Sequence, residues 1–246
     1  MCTLSFVPTK SGYLAAMNRD ELLTRDRALA PQVARAGELW TAYPREPEGG
    51  TWIACNERGI TLALLNWNLP GLPRKRSSRG SVIPQLIGYP DLADVEWAIQ
   101  SLDLAGILPF RLVGIFWPQD QVCEWRWDGA SLQRLAFPWQ PRHWFSSGLS
   151  DESAEAGRSE ICRSAGSAPD AGTLPWLREL HRAHGSAPGP FSMCVHRPDA
   201  ASVSYSEVVY EPSQLTFRYV DGLPCADGPA TVLTLPLATH RELVVA

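Results

Sequence analysis

No stretch of this chain approaches the roughly 18 consecutive apolar residues that a membrane helix needs, and its first residues carry neither the basic cluster nor the apolar segment of a secretory leader. A cytoplasmic protein without stable membrane insertion is the expectation. Paired cysteines are also missing: the six stand at 2, 55, 123, 162, 194 and 225, with no CxxC spacing. That scatter suggests neither a disulfide framework nor a zinc site, so no metal and no cofactor are expected, and most of these thiols read as small buried hydrophobes. Neither sign of charge dominates. A formal net charge of -4 gives no general attraction to nucleic acid or to an anionic surface. No internal repeat, low-complexity tract or linker interrupts the sequence, and a hydrophobic share of 45% is enough for a buried core, so residues 1–246 read as a single domain.

What is present begins with "MCTLSF". The side chain after Met1 is small, so removal of Met1 is expected, and it would leave Cys2 with a thiol and a free α-amine on one residue. That pair is a nucleophile with its own base. The runs "TLSFV", "GYLAAMN", "TWIACNE" and "ITLALLNW", separated by "TKSG" and "ERG", predict strands joined by hairpin turns. Helical spacing from Val82 to Leu102 predicts a helix broken at Pro90, with Asp91 or Asp94 capping its second half. "FRLVGIFWP", "QVCEWRWDG" and "SLQRLAFP" return to strands. "SDESAEAGRSEICRSA" and "TLPWLRELHRAHG" carry the cap and end signals of two more helices. "FSMCVHR", "SVSYSEVVY", "QLTFRYVDG" and "TVLTLPL" predict a last group of strands. Strands, helices and strands in this order indicate an α+β fold of two antiparallel sheets covered by helices.

The second predicted strand ends in Asn18, Arg19, Asp20 and Glu21, where a hairpin would return the chain beside Cys2. A carboxylate there could hold the α-amine and a guanidinium lower the thiol pKa, although adjacent strand residues face opposite ways and only some of the four can reach Cys2. The same cluster also reads as a solvated strand end. Asn66 closes "ITLALLN" with an amide suited to a developing oxyanion. In "RKRSSR", Arg74, Lys75, Arg76 and Arg79 could take an acidic group, and without interleaved aromatics they do not make a nucleic-acid platform. Trp67, among ten tryptophans, is a candidate for an apolar acyl pocket, and Arg197 of "CVHR" for a substrate contact. His181, His184 and His196 lack a recognisable ligand spacing, and a Cys194/His196 dyad has no oxyanion signature beside it.

Taken in order, "MCT", "NRDE", "GGTW", "RG" before "LLN" and "SRG" resemble the NRDE family, also called the transport and Golgi organisation protein 2 family. The likeness is specific as a set over about the first 85 residues. It extends to the choloylglycine hydrolase and penicillin V acylase group of N-terminal nucleophile hydrolases. The resemblance implies a four-layer αββα fold and a cysteine amidohydrolase or acyltransferase acting on a non-peptide carbon–nitrogen bond of a small molecule. In it Cys2 is the nucleophile, Asp20 or Glu21 positions its amine, Arg19 stabilises the thiolate or binds a substrate carboxylate, and Asn66 holds the oxyanion; taken with the reading of the residues above, Asn18, Glu21, Trp67, Arg79 and Arg197 are the candidates on the substrate side. The order Asn18-Arg19-Asp20-Glu21 departs from the hydrolases' Arg-Asn-x-Asp, so Asp20 and Glu21 both stay open as the amine's partner. A further asparagine of those enzymes has no counterpart here, where "SSGLSD" offers Ser146, Ser147 and Asp151. The alternative is a non-catalytic carrier or interaction protein for an acyl, lipid, coenzyme A or haem-type ligand. Assembly into a homo-oligomer stays open.

Overall fold

The computed structural model describes residues 2–69 and 78–237. In chain order the first strands are β1 (Cys2–Thr9), β2 (Gly12–Leu22), β3 (Leu29–Ala36), β4 (Leu39–Arg45), β5 (Ile53–Asn56) and β6 (Ile60–Asn66). Two helices follow, α1 (Val82–Leu86) and α2 (Leu92–Ser101), then β7 (Phe110–Phe116), β8 (Gln121–Trp127), β9 (Leu132–Phe137) and β10 (Arg142–Ser146). After α3 (Asp151–Ala165) and α4 (Leu174–Arg182) come β11 (Ala200–Glu211), β12 (Gln214–Asp221) and β13 (Ala230–Pro236). The strands make two antiparallel sheets, ordered β10-β1-β2-β11-β12-β13 and β3-β4-β5-β6-β7-β8-β9.

Period-two alternation sends each strand's side chains to two different layers. Leu4, Phe6, Tyr13, Ala15 and Met17 of the first sheet meet Ile53, Cys55, Ala63 and Val113 of the second in one buried layer between the sheets. On the outer face of the first sheet, Val7, Leu14, Ala16 and Tyr205 pack under Ala154, Cys162, Trp176, Leu177 and Leu180 of α3 and α4. Leu62, Leu64, Leu112 and Trp125 of the second sheet do the same beneath Ile83, Leu86, Val95 and Ile99 of α1 and α2. The result is the expected αββα sandwich. Among the described residues no helix is long and apolar enough to cross a membrane.

Three helix starts follow from single side chains. Asp91 Oδ1 accepts from the Asp94 amide at 2.9 Å, Ser150 Oγ from Ser153 at 3.0 Å, and Thr173 Oγ1 from Trp176 at 3.3 Å, each satisfying an amide that has no partner within its helix. The break at Pro90 separates α1 from α2 as the spacing predicts.

Several stretches differ from the sequence reading. β3, β4 and β10 carry no clear signal: β3 is an edge strand exposed at most positions, and β10 is a short segment in the proline-flanked "PWQPRHWFSSG". The predicted strand "FSMCVHR" is irregular backbone with one isolated bridge, His196 to Ala201. α4 stops at Arg182, ahead of Gly185. Arg74, Lys75 and Arg76 lie outside the described residues.

Candidate active site

Cys2 begins β1, with Arg19 of β2 directly across on one side and Ser146 of β10 on the other. Directly opposed residues share a face, so the alternation of β2 sorts the four polar residues into two pairs. Arg19 follows Met17 into the layer between the sheets, on the side of Cys2, and Glu21 joins it. Asn18 and Asp20 turn the other way, to the helices. Asn18 donates from Nδ2 to the carbonyls of His181 and Met193, both at 2.8 Å, and its Oδ1 lies 3.0 Å from His181 Nδ1. It is a buried strut and not a wall of the Cys2 cavity, which corrects its placement as a substrate contact. Asp20 borders the cavity, but its carboxylate is taken by the Arg158 guanidinium at 3.2 Å and the Ser202 hydroxyl at 2.6 Å.

Neither carboxylate contacts the Cys2 nitrogen. That N–H donates to Ser146 Oγ at 2.9 Å. Arg158 then ties the corner together: it donates to Thr3 Oγ1 at 2.7 Å, the Cys2 carbonyl at 3.4 Å, the Ser146 carbonyl at 3.3 Å and the Ser192 carbonyl at 3.0 Å, besides Asp20. The sequence reading missed Arg158. Its signal is spacing, because Ala154, Arg158 and Cys162 form the buried stripe of α3 and a cation stands in the middle of it.

Cys2, 5% exposed, opens into a cavity of about 310 Å³ walled by Arg19, Glu21, Glu46, Trp52, Asn66 and Arg79. Arg19 pairs with Glu46 at 2.9 Å and Glu21 at 3.3 Å, and its guanidinium lies 4.6 Å from the centre of the Trp52 ring. Asn66 closes β6, and no described residue hydrogen-bonds its side chain. The indole nitrogen of buried Trp52 likewise has no partner among the described residues. Arg79 reaches over from a single 3-10 turn, Arg79–Ser81, anchored by its Nε on the Pro109 carbonyl at 2.7 Å. Burial lowers the Arg79 guanidinium from its ordinary value, opposed by Cys2 and Glu21.

Burial also pushes the Cys2 thiol above its ordinary value of 9.0; the amino terminus and Arg19 pull it down, while Asp20 and Glu21 raise it further. Arg19 pulls the thiol down as the sequence suggests, but the net shift is upward. Arg19 shares its charge with two carboxylates, and desolvation prevails. A resting thiol of this kind reacts only when a base takes its proton.

The remaining candidates lie apart. Trp67, next after Asn66, joins a separate cavity of about 320 Å³ with Glu124, Arg126 and His143. Arg197 lines a third, of about 530 Å³, whose wall shares Arg19 and Glu21 with the Cys2 cavity, and it pairs with Asp199 at 2.6 Å. His181 is buried: its Nε2 lies 2.9 Å from Ser5 Oγ, and Ser5 Oγ lies 2.8 Å from His143 Nδ1. Because Asn18 spends both amide hydrogens on carbonyls, its oxygen must accept from His181 Nδ1, which fixes the neutral tautomer with Nε2 accepting from Ser5. His184 and His196 are elsewhere, facing Cys194 and Cys225.

The sequence profile of the Transport and Golgi organisation 2 family matches residues 1–136. No curated relative matches the chain. The fold is similar to penicillin V acylase from Agrobacterium tumefaciens, with a TM-score of 0.55 and 9% identity, covering 96% of this chain and 86% of that one. It is similar to a cysteine-to-alanine mutant of conjugated bile acid hydrolase from Clostridium perfringens, with a TM-score of 0.55 and 10% identity over 98% of this chain and 99% of that one. A second variant of that hydrolase superposes with a TM-score of 0.51 and 9% identity, at the same coverage of both chains.

Proposed function

The chain belongs to the Transport and Golgi organisation 2 family, and from that premise we propose that it is an N-terminal cysteine nucleophile hydrolase for an amide or acyl bond of a small molecule. The observation that carries the reading is the setting of Cys2: its nitrogen held by Ser146 Oγ at 2.9 Å, Arg19 directly across, and the side chain facing a cavity that also holds Asn66. The acylase and the bile acid hydrolase with the same fold support a small acyl compound as substrate.

With Met1 removed, the nitrogen bonded to Ser146 becomes an α-amine, a group whose unperturbed pKa of about 7.7 to 8.0 suits it to act as a base near neutral pH. It takes the Sγ proton as sulfur attacks the acyl carbon. The carbonyl oxygen becomes an oxyanion towards which Asn66 donates. The proton then passes from the ammonium to the leaving amine, the carbon–nitrogen bond breaks, and a thioester remains. Water, deprotonated by the same amine, attacks the thioester and releases the acid. Ser146 orients the amine, and the Arg158–Asp20 pair fixes the strand end that carries it. Arg79 brings to the cavity a guanidinium that can meet a substrate carboxylate, while Arg19 is already paired with Glu21 and Glu46.

One observation favours a second reading, a carrier for an acyl or apolar ligand: burial keeps the thiol protonated. Activity separates the two. Purified protein assayed on a panel of N-acyl amino acids and aryl amides should hydrolyse at least one of them, Cys2→Ala should abolish that hydrolysis, and Cys2→Ser should leave little. Undiminished hydrolysis in Cys2→Ala overturns the proposal, and binding without turnover across the panel moves the function to the carrier.

A further inference from the structure

Four side chains outside the Cys2 cavity converge on one point. His184 follows α4, Cys194 and His196 lie in the irregular stretch before β11, and Cys225 lies in the loop between β12 and β13. Their ligand atoms all fall within 4.8 Å of one another. His196 Nε2 stands 3.1 Å from His184 Nε2, 3.6 Å from Cys194 Sγ and 3.5 Å from Cys225 Sγ. A single imidazole nitrogen offers one hydrogen or one lone pair, so it can satisfy one of these neighbours and not three. A cation at the common centre satisfies all four.

The spacings also have the right size. Tetrahedral zinc with bonds of about 2.0 Å to nitrogen and about 2.3 Å to sulfur sets its ligand atoms about 3.3 Å apart for two nitrogens and about 3.5 Å for nitrogen and sulfur. We propose that His184, Cys194, His196 and Cys225 form a Cys2His2 site for one tetrahedral divalent zinc ion. Four protein ligands leave no open position, which marks the site as structural. On binding, each thiol gives up its proton, and two thiolates with two neutral imidazoles bring the zinc centre to zero net charge, which a half-buried position accommodates without a counter-ion.

The backbone is already shaped for it. The Cys194 amide bonds the Ala183 carbonyl at 3.1 Å, the His196 amide bonds the Gly189 carbonyl at 3.1 Å, and Ser192 Oγ donates to the His184 carbonyl at 3.0 Å. Between Cys194 and His196, the Val195 amide donates to Ser202 Oγ at 2.8 Å, the same hydroxyl that donates to Asp20 at 2.6 Å. The ion thus clamps three separate segments beside the residue that holds Asp20.

The test is elemental analysis of the full chain purified without chelator, followed by stripping and titration with cobalt. Expected are one zinc per chain as purified and one cobalt taken up with sulfur-to-metal charge-transfer bands and the visible bands of a tetrahedral centre. Cys225→Ser should lose both, and Cys162→Ser, at a thiol outside the cluster, should keep both. Because Cys225→Ser could fail to fold, the wild-type spectrum is decisive by itself. A wild type that retains no stoichiometric zinc, cobalt bound without sulfur bands, or a non-reducing mass showing Cys194 and Cys225 joined as a disulfide overturns the site.

Discussion

The Cys2 corner depends on a cation that never reaches the cavity surface. Arg158 is 1% exposed and Asp20 is fully buried, so each relies on the other to offset the loss of water. Removing one partner strands a buried charge, at a cost of about 3–5 kcal/mol, whereas removing both costs less. Arg158→Met should therefore lower the unfolding free energy by about that amount, and Arg158→Met with Asp20→Asn should recover part of it in urea titrations. Equal losses in the single and double variants would contradict the pairing. At this scale the sequence was partly readable. Cys2, Arg19 and Asn66 announce themselves through position and motif, but which of the four residues from Asn18 to Glu21 faces the thiol follows only from the register that sets Arg19 opposite Cys2. Ser146 was named only as one of three residues in "SSGLSD", and Arg158 was hidden, because they reach Cys2 across 144 and 156 residues, with no local pattern to mark the contact.

Between elements, the two glycine-bearing motifs "GGTW" and "SRG" act as one joint. A side-chain carbon on Gly50 would come within 3.0 Å of the Gly80 backbone, and the Thr51 amide bonds the Gly80 carbonyl at 3.0 Å. This close approach seats the turn that carries Arg79 above the cavity. Gly50→Ala should force the segments apart at a cost of about 1–3 kcal/mol and raise KM more than it lowers kcat, which chemical denaturation and steady-state kinetics would show. An unchanged stability would mean the joint is looser than the contact indicates. The sequence marked these glycines without showing that they meet. It also read 191–197 as a strand from its apolar residues, although the backbone there bends so that Cys194 and His196 can face one centre. Irregular structure of this kind is set by long-range contacts, which no period in the sequence records.

Across the whole molecule, the layer order was legible because β1, β2, β5 and β6 are short apolar runs, buried along nearly their whole length and set apart by turn residues, and the helices are capped by recognisable residues. Stability against acid is a property of the same scale. Burial, then His143 and Arg158, hold His181 down to about 3, and burial holds His143 down to about 4, from an ordinary 6.5. Between those values the unfolded chain binds protons that the folded chain refuses. Stability is therefore complete above about pH 6.5 and falls as the pH drops towards 4 and 3, by up to about 1.4 kcal/mol per pH unit for each histidine. His181→Gln should flatten that slope in urea titrations between pH 6.5 and 4; an unaltered slope would mean His181 takes its proton in the folded protein. The central claim, that Cys2 attacks through its own amine, is tested most directly by mass spectrometry of the protein quenched in acid during turnover of an activated aryl ester. The account predicts an acyl group on a peptide that begins at Cys2 with a free α-amine, and a peptide that still carries Met1, or acylation confined to other residues, would contradict it.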